Sequence, residues 1–278
     1  MCGNEGGSVF CRSLRVVTEG HQSMNWDQIY EWALWLVLGT SAVTFPALFF
    51  ITLGYGRHDQ GKSMLYVPSL PGWILMEAPS WIVFPLTFFL LGRHNREAVP
   101  LCFLAIWQLH YFYRGIIFPL RMRNRNKRKP VGAVIAGFLF TGVNGFVQAY
   151  AITNLSPHLW TPDWFADPRF IVGILLMLIG VSINIHSDSV LRNLRAPGET
   201  GYKIPHGGLY RWISAPNYFG EMIEWLGLAI AVWNVAGLSF FLFTVANLFP
   251  RALAHHRWYK ERFPDYPPGR KAIIPGLI

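Results

Sequence analysis

Seven stretches of this chain stay apolar for about twenty residues at a time. They run roughly over 29–53, 71–91, 99–120, 131–152, 170–191, 217–234 and 236–256. A helix rising 1.5 Å per residue needs about 20 apolar residues to cross a hydrocarbon core about 30 Å thick. Lipid offers no partner to backbone N–H and C=O groups, so such runs fold as spanning helices. The sequence therefore predicts an all-α, polytopic membrane protein with seven transmembrane helices. The sixth and seventh runs are nearly fused, and the boundary near Asn234–Gly237 is the faintest.

Composition agrees. Charged residues make up 14% of the chain and the AVILMFWYC set 52%. A soluble domain carries about 25% charged residues. An ordinary soluble globule and a disordered chain are both excluded. No GxGxxG follows a strand and no GxxxxGK[ST] or HExxH occurs, so there is no Rossmann domain. Cys2, Cys11 and Cys102 have neither metal-ligand nor disulfide-framework spacing. Residues 1–28 are polar and Gly-rich with no apolar run. They read as a leader without a signal peptide, with Met24 a second candidate start. Residues 29–278 read as one domain.

The net charge of +9 lies mostly between the apolar runs, which argues for membrane orientation and against nucleic acid. Arg12, Arg15, Arg93, Arg96 and Arg169 fall on one side. The other side holds 17 cations, among them Arg121–Lys129, Arg192, Arg195, Lys203, Arg211 and the C-terminal set from Arg257 to Lys271. The bias of 17 to 5 places the C-terminus in the cytoplasm and the N-terminus outside or in a lumen. The membrane would be the endoplasmic reticulum in a eukaryote and the inner membrane in a bacterium.

Polar groups at membrane depth cost at least about 2.5–3.5 kcal/mol each and mark functional sites. Asn184, Asp188, Arg192 and Arg195 follow one another at spacings of four, four and three and share a helix stripe. An amide and a carboxylate at one end and two guanidinium groups at the other suit a ligand with a sugar or amide and phosphates. An Asp188–Arg192 pair within the helix is the bland alternative. Asn217, Glu221 and Glu224 open the sixth run, with Arg192, Arg195 and Arg251 as candidate partners. Arg251, His255 and Tyr259 form a third stripe. Glu77 lies about 9 Å past Pro71, and Tyr111 about 14 Å before Leu120. Both sit a few residues below the same face, with Arg114 a candidate partner for the glutamate.

Two stretches carry a resemblance. GVSINIHSDSVLRNLRAPGETGYKIPHGGLYRWISAPNYFGEMIEWLG and RALAHHRWYKERFPDYPPGRKAIIP resemble the steroid 5α-reductase family (3-oxo-5α-steroid 4-dehydrogenases). LMEAPSW and LHYFYR look like that family's catalytic Glu and Tyr segments. The resemblance implies a seven-helix membrane enzyme that uses NADPH to reduce the 4,5 double bond of a 3-oxo-Δ4 steroid. Asn184, Asp188, Arg195, Tyr202, Asn217, Glu221, Arg251, His255 and Tyr259 then look like cofactor contacts. Arg192, Lys203 and Glu224 are weaker matches, and Lys203 stands where family members often have Arg.

Hydride addition to an enone builds enolate charge on the carbonyl oxygen, and two aimed donors stabilise it. Glu77 and Tyr111 are the candidates. Glu77 must be neutral for this role, which apolar surroundings favour. The substrate pocket is expected mainly within 29–152, with Trp32, Phe45, Trp73 and Trp81 in its lining, and the NADPH site within 184–278. The implied partners are a steroid or similar lipid enone and membrane lipid, with no metal, nucleic acid or obligatory protein partner. Three rival readings stay open. One is a reductase of another lipid enone, since related double-bond reductases act on sterols, polyprenols or enoyl-CoA. Isoprenylcysteine carboxyl methyltransferases resemble the APNYFGE segment and bind S-adenosylmethionine. A transporter or receptor would also hold buried charges, although no internal repeat is evident.

Overall fold

In the computed structural model the described residues are 25–51, 63, 65–123, 127–196, 199 and 201–278. Met24, Cys2, Cys11, most of the expected leader and residues 124–126 of the basic loop lie outside them. Seven long helices follow in chain order: α1 (Trp26–Phe50), α2 (Ser69–Leu91), α3 (Ala98–Arg121), α4 (Val131–Leu155), α5 (Pro168–Asn193), α6 (Pro216–Val232) and α7 (Val235–Arg262). All but α6 are long and apolar enough to cross a membrane. The 17 residues of α6 sit at the short end of the spanning range.

Local chemistry sets the helix ends. Asn25 caps α1 by accepting from the Asp27 N–H. Asp167 caps α5, and Pro168 fills the first helical position, where a missing N–H costs nothing. The faint boundary between the last two runs is a two-residue break. Trp233 takes the left-handed conformation (φ 44°), and Asn234 caps α7 by accepting from the Gly237 N–H. Beyond that break α7 runs six residues past the expected end at 256, so Arg251, His255 and Tyr259 all lie on one helix.

Two features had no periodic signal. Tyr66–Pro68 (β1) pairs antiparallel with Arg128–Pro130 (β2), tying the entrances of α2 and α4 together. Strands of three residues are too short to show alternation. Within α3, residues Tyr113–Ile117 widen to a π-helix, a distortion that often marks functional sites.

Small residues let α5 and α6 pack antiparallel with backbones almost touching. A Cβ added to Gly180 would sit 2.3 Å from the Glu224 backbone nitrogen, and one added to Gly173 2.5 Å from that of Ala231. Membrane helices associate through such small-residue faces because lipid removes the hydrophobic drive. The largest core cluster, with Phe84, Phe88, Phe103, Trp107, Tyr111, Trp225 and Phe240, joins α2, α3, α6 and α7. The C-terminal tail folds back, Lys271 bridging to Ile213 and Ile273 wholly buried.

Candidate active site

The first half of α2, the last half of α3, the last third of α5 and the first half of α6 meet at one end of the bundle. Arg114 is their centre. Its guanidinium reaches Asp188 at 3.5 Å and Glu221 at 3.4 Å. The same group lies 4.8 Å from the ring centres of Trp73 and Phe118. The Trp73 indole N–H donates to the Arg114 carbonyl at 3.0 Å, so one tryptophan braces both ends of the arginine. Asp188 also accepts from the Asn217 amide at 3.1 Å. Asn184 donates to the Asn217 carbonyl at 3.0 Å and to Glu221 at 3.4 Å. The close α5–α6 approach at Gly180 and Gly220 makes these short side chains sufficient.

Glu77 and Tyr111 face this cluster from α2 and α3. A Cβ on Gly115 would lie 3.4 Å from the Glu77 Cβ and 3.5 Å from the Trp81 indole nitrogen. The glycine in the π segment therefore lets α2 approach α3 at the height of the glutamate. The Tyr111 ring is 4% exposed and stands 4.9 Å from Trp107 and 6.2 Å from Trp225. Its hydroxyl lies near Ser80 and within electrostatic reach of Glu77. Glu77 in turn has Arg114, Glu221, His110 and Lys129 among its charged neighbours. Lys129, on β2 at the mouth, holds its ammonium 4.2 Å above the Trp73 ring.

The remaining expected residues form two further groups. Arg192 donates to the Ser189 hydroxyl at 2.8 Å, and Arg195 to the Gly201 carbonyl at 2.8 Å. Arg195 and Lys127 lie 5.9 and 5.3 Å from the Tyr202 ring centre, and Tyr202 meets Trp258 edge-on. Lys203 pairs with Glu199 at 2.5 Å, and that hydrogen bond holds the Glu199 carboxyl below its usual range. On α7, Arg251 donates to the Tyr218 hydroxyl at 3.1 Å, and His255 meets the same hydroxyl at 3.2 Å. Tyr259 stacks on Tyr266 at 5.3 Å inside a small aromatic cluster.

Three expectations need correction. Asp188 does not pair with Arg192; Arg114 and Asn217 take its oxygens. Glu221 and Glu224 do not pair with Arg192, Arg195 or Arg251. Their partners come from α3: Arg114 for Glu221 and His110 for Glu224. Spacing along one helix says which residues share a face, and nothing about which neighbouring helix supplies the opposite charge. Trp32 does not line a pocket: it is 78% exposed and points away from the bundle, and Phe45 is 40% exposed against Phe49 and Phe249. A helix that is apolar all round hides which face meets lipid. Trp73 and Trp81, by contrast, stand beside Arg114 and Glu77. The sequence placed Arg114 only as a candidate partner for Glu77 and gave His110 no role, although an arginine inside an apolar run is itself a signal.

Carboxylates, amides and a guanidinium, buried or partly buried at one end of a spanning bundle, next to an acid and a phenol among aromatic rings, define a polytopic membrane protein of enzymatic type. The family model described as 3-oxo-5-alpha-steroid 4-dehydrogenase matches residues 127–278. The chain is 42% identical over 248 residues to 3-oxo-5-alpha-steroid 4-dehydrogenase 1 of Bos taurus, covering 88% of this chain and 95% of that one. It is 43% identical over 226 residues to the Homo sapiens protein of the same name, covering 81% and 86%. Steroid 5-alpha-reductase DET2 of Solanum lycopersicum is 38% identical over 258 residues, covering 90% and 98%. The chain belongs to the steroid 5α-reductase (3-oxo-5α-steroid 4-dehydrogenase) family, and by homology it is an oxidoreductase of that type.

Proposed function

We propose that this chain reduces the 4,5 double bond of 3-oxo-Δ4 steroids with NADPH, and that Glu77 and Tyr111 polarise the substrate's 3-oxo group. The observation that carries the reading is the placement of Glu77, across Gly115 from α3, beside a buried phenol and next to the Arg114 cluster. When bound, NADPH supplies the hydride that adds to the β carbon of the enone. Glu77, as a neutral acid, and Tyr111 donate hydrogen bonds to the carbonyl oxygen, where enolate charge grows. The rings of Trp107, Trp225 and Trp81 keep water from that oxygen and so strengthen both donors. A proton at the α carbon completes the reduction.

The donor set fits the cofactor. Asn184, Asp188, Asn217 and Glu221 present amides and carboxylates suited to ribose hydroxyls and a carboxamide. Arg192, Arg195 and Lys203, with Tyr202 beside them, supply cations for phosphates, and Arg251, His255 and Tyr259 wall the α7 side. The 17 to 5 distribution of basic residues supports putting this end of the bundle in the cytoplasm, where NADPH enters. That is the cytoplasmic face of the endoplasmic reticulum in a eukaryote, or of the inner membrane in a bacterium.

The test uses the purified chain in lipid nanodiscs with NADPH and a 3-oxo-Δ4 steroid. The expected product is the 5α-reduced ketone. Glu77→Gln and Tyr111→Phe should each slow turnover by about 10²–10³ while NADPH still binds. Near-normal turnover in both variants would refute the assignment of the two donors.

A further inference from the structure

Glu224 is among the deepest charges in the protein, with 2% of its side chain exposed, and the reaction proposed above does not use it. Its side chain is not among those whose hydrogen bonds tie Asp188, Asn184, Asn217 and Glu221 together. Its Oε1 makes an ion-pair contact with the Nδ1 of His110, the residue immediately before Tyr111. The contact is embedded in rings. His110 stands edge-on to Tyr111 at 4.9 Å and edge-on to Trp225 at 4.6 Å. Trp225, immediately after Glu224, stacks along Tyr111 at 6.2 Å. Two consecutive residues of α3 thus interlock with two consecutive residues of α6: one pair is polar, the other aromatic. Four residues along α3 and three back along α6, Arg114 and Glu221 make a parallel rung.

A buried carboxylate carries a desolvation cost that a close partner must offset, and ionisable groups at membrane depth mark functional positions. Here the pair fixes the rotation of α3 about its axis against α6. That rotation decides where the Tyr111 hydroxyl points. We propose that His110 and Glu224 are positioning residues that hold the Tyr111 phenol in register with the substrate carbonyl, the pair acting through the tyrosine and touching neither steroid nor cofactor. This rests on the donor role given to Tyr111 above. It takes Glu224 out of the cofactor site, for which the family resemblance had made it a weaker match.

The experiment is a double-mutant cycle on the full chain in nanodiscs, reading kcat, steroid KM and NADPH affinity for Glu224→Gln, Tyr111→Phe and the double variant. Misplacing a reacting group by about 1 Å costs on the order of 10²-fold. Glu224→Gln should therefore lower kcat about 10- to 100-fold, with steroid KM and NADPH affinity within about threefold of the parent. In the Tyr111→Phe background the same substitution should change kcat by less than about threefold, because its route to the reaction is already cut. Additive losses, an unchanged kcat in Glu224→Gln, or a loss that falls mainly on NADPH affinity would each overturn the proposal. Should Glu224→Gln fail to fold, His110→Ala is read in the same cycle with the same criteria. His110→Gln, whose amide can still donate to Glu224, should recover part of the rate that His110→Ala loses. A normal Tyr111→Phe would instead sink the donor role of the phenol, a separate failure.

Discussion

At the scale of single residues, Arg114 decides most. It faces two carboxylates at 3.5 and 3.4 Å, which Asn184 and Asn217 brace from the other side. Removing the cation leaves the buried Asp188 and the partly exposed Glu221 without their counter-charge. Breaking a fully buried pair costs about 3–5 kcal/mol, and this partly exposed cluster should lose less. Arg114→Met should lower the melting temperature and abolish turnover, whereas Asp188→Asn, which keeps the shape, should lose less stability. Thermal unfolding in one detergent checks both. Lys129 makes a second residue-scale prediction. Burial at the mouth lowers its ammonium to about 8 from an ordinary value of 10.5, and Glu77 partly opposes the fall. Between those two values the unfolded chain binds more protons than the folded one, so folding stability gains from this site as pH rises through that window. Lys129→Met should remove that slope and raise stability at neutral pH. Melting curves from pH 7 to 10.5 read it directly, and an unchanged slope would contradict the burial argument.

At the scale of elements, the α5–α6 seam places the site. Gly180 and Gly173 have no room for a side chain, and backbone atoms stand within 2.6 Å of where a Cβ would go. Gly180→Val must push the helices apart, a strain of about 1–3 kcal/mol or more. The same shift lengthens the Asn184–Asn217 and Asn217–Asp188 bonds. We expect lost NADPH binding along with lost stability; a stable variant with normal binding would show that the seam can give way without disturbing the site. The helices themselves were legible. Apolar runs located all seven, because lipid punishes every unpaired backbone group and leaves long uninterrupted signals. The β1–β2 pair and the π segment at Tyr113–Ile117 were not legible, since the pair is too short for a period and the widening depends on contact between helices. The stripes on α5, α6 and α7 were visible as spacings, and most of their residues do gather at one end. Their partners were not, since Arg114 and His110 come from a different helix. Trp32 went astray for the same reason: only packing separates the lipid face of α1 from its inner face.

At the scale of the whole molecule, the polar site sits at one end of a bundle whose sides carry many exposed apolar residues. Exposed Trp35, Leu36, Leu90, Leu139 and Leu178 suit contact with lipid tails. A dinucleotide bridging α5, α6 and α7 would bind the folded state alone and stabilise it by mass action. At 100 times its dissociation constant NADPH should add about 2.7 kcal/mol, seen as a raised melting temperature, and S-adenosylmethionine should add nothing. A shift with the methyl donor and none with NADPH would move the chain to the methyltransferase reading. The account stands most directly on one isotope measurement: the purified protein in nanodiscs, given NADPH deuterated at the transferable position of the nicotinamide and a 3-oxo-Δ4 steroid. The expected product is a saturated ketone carrying a single deuterium at the former β carbon, with Glu77→Gln and Tyr111→Phe strongly slowed. Deuterium elsewhere on the steroid, or an untouched double bond with cofactor bound, would contradict it.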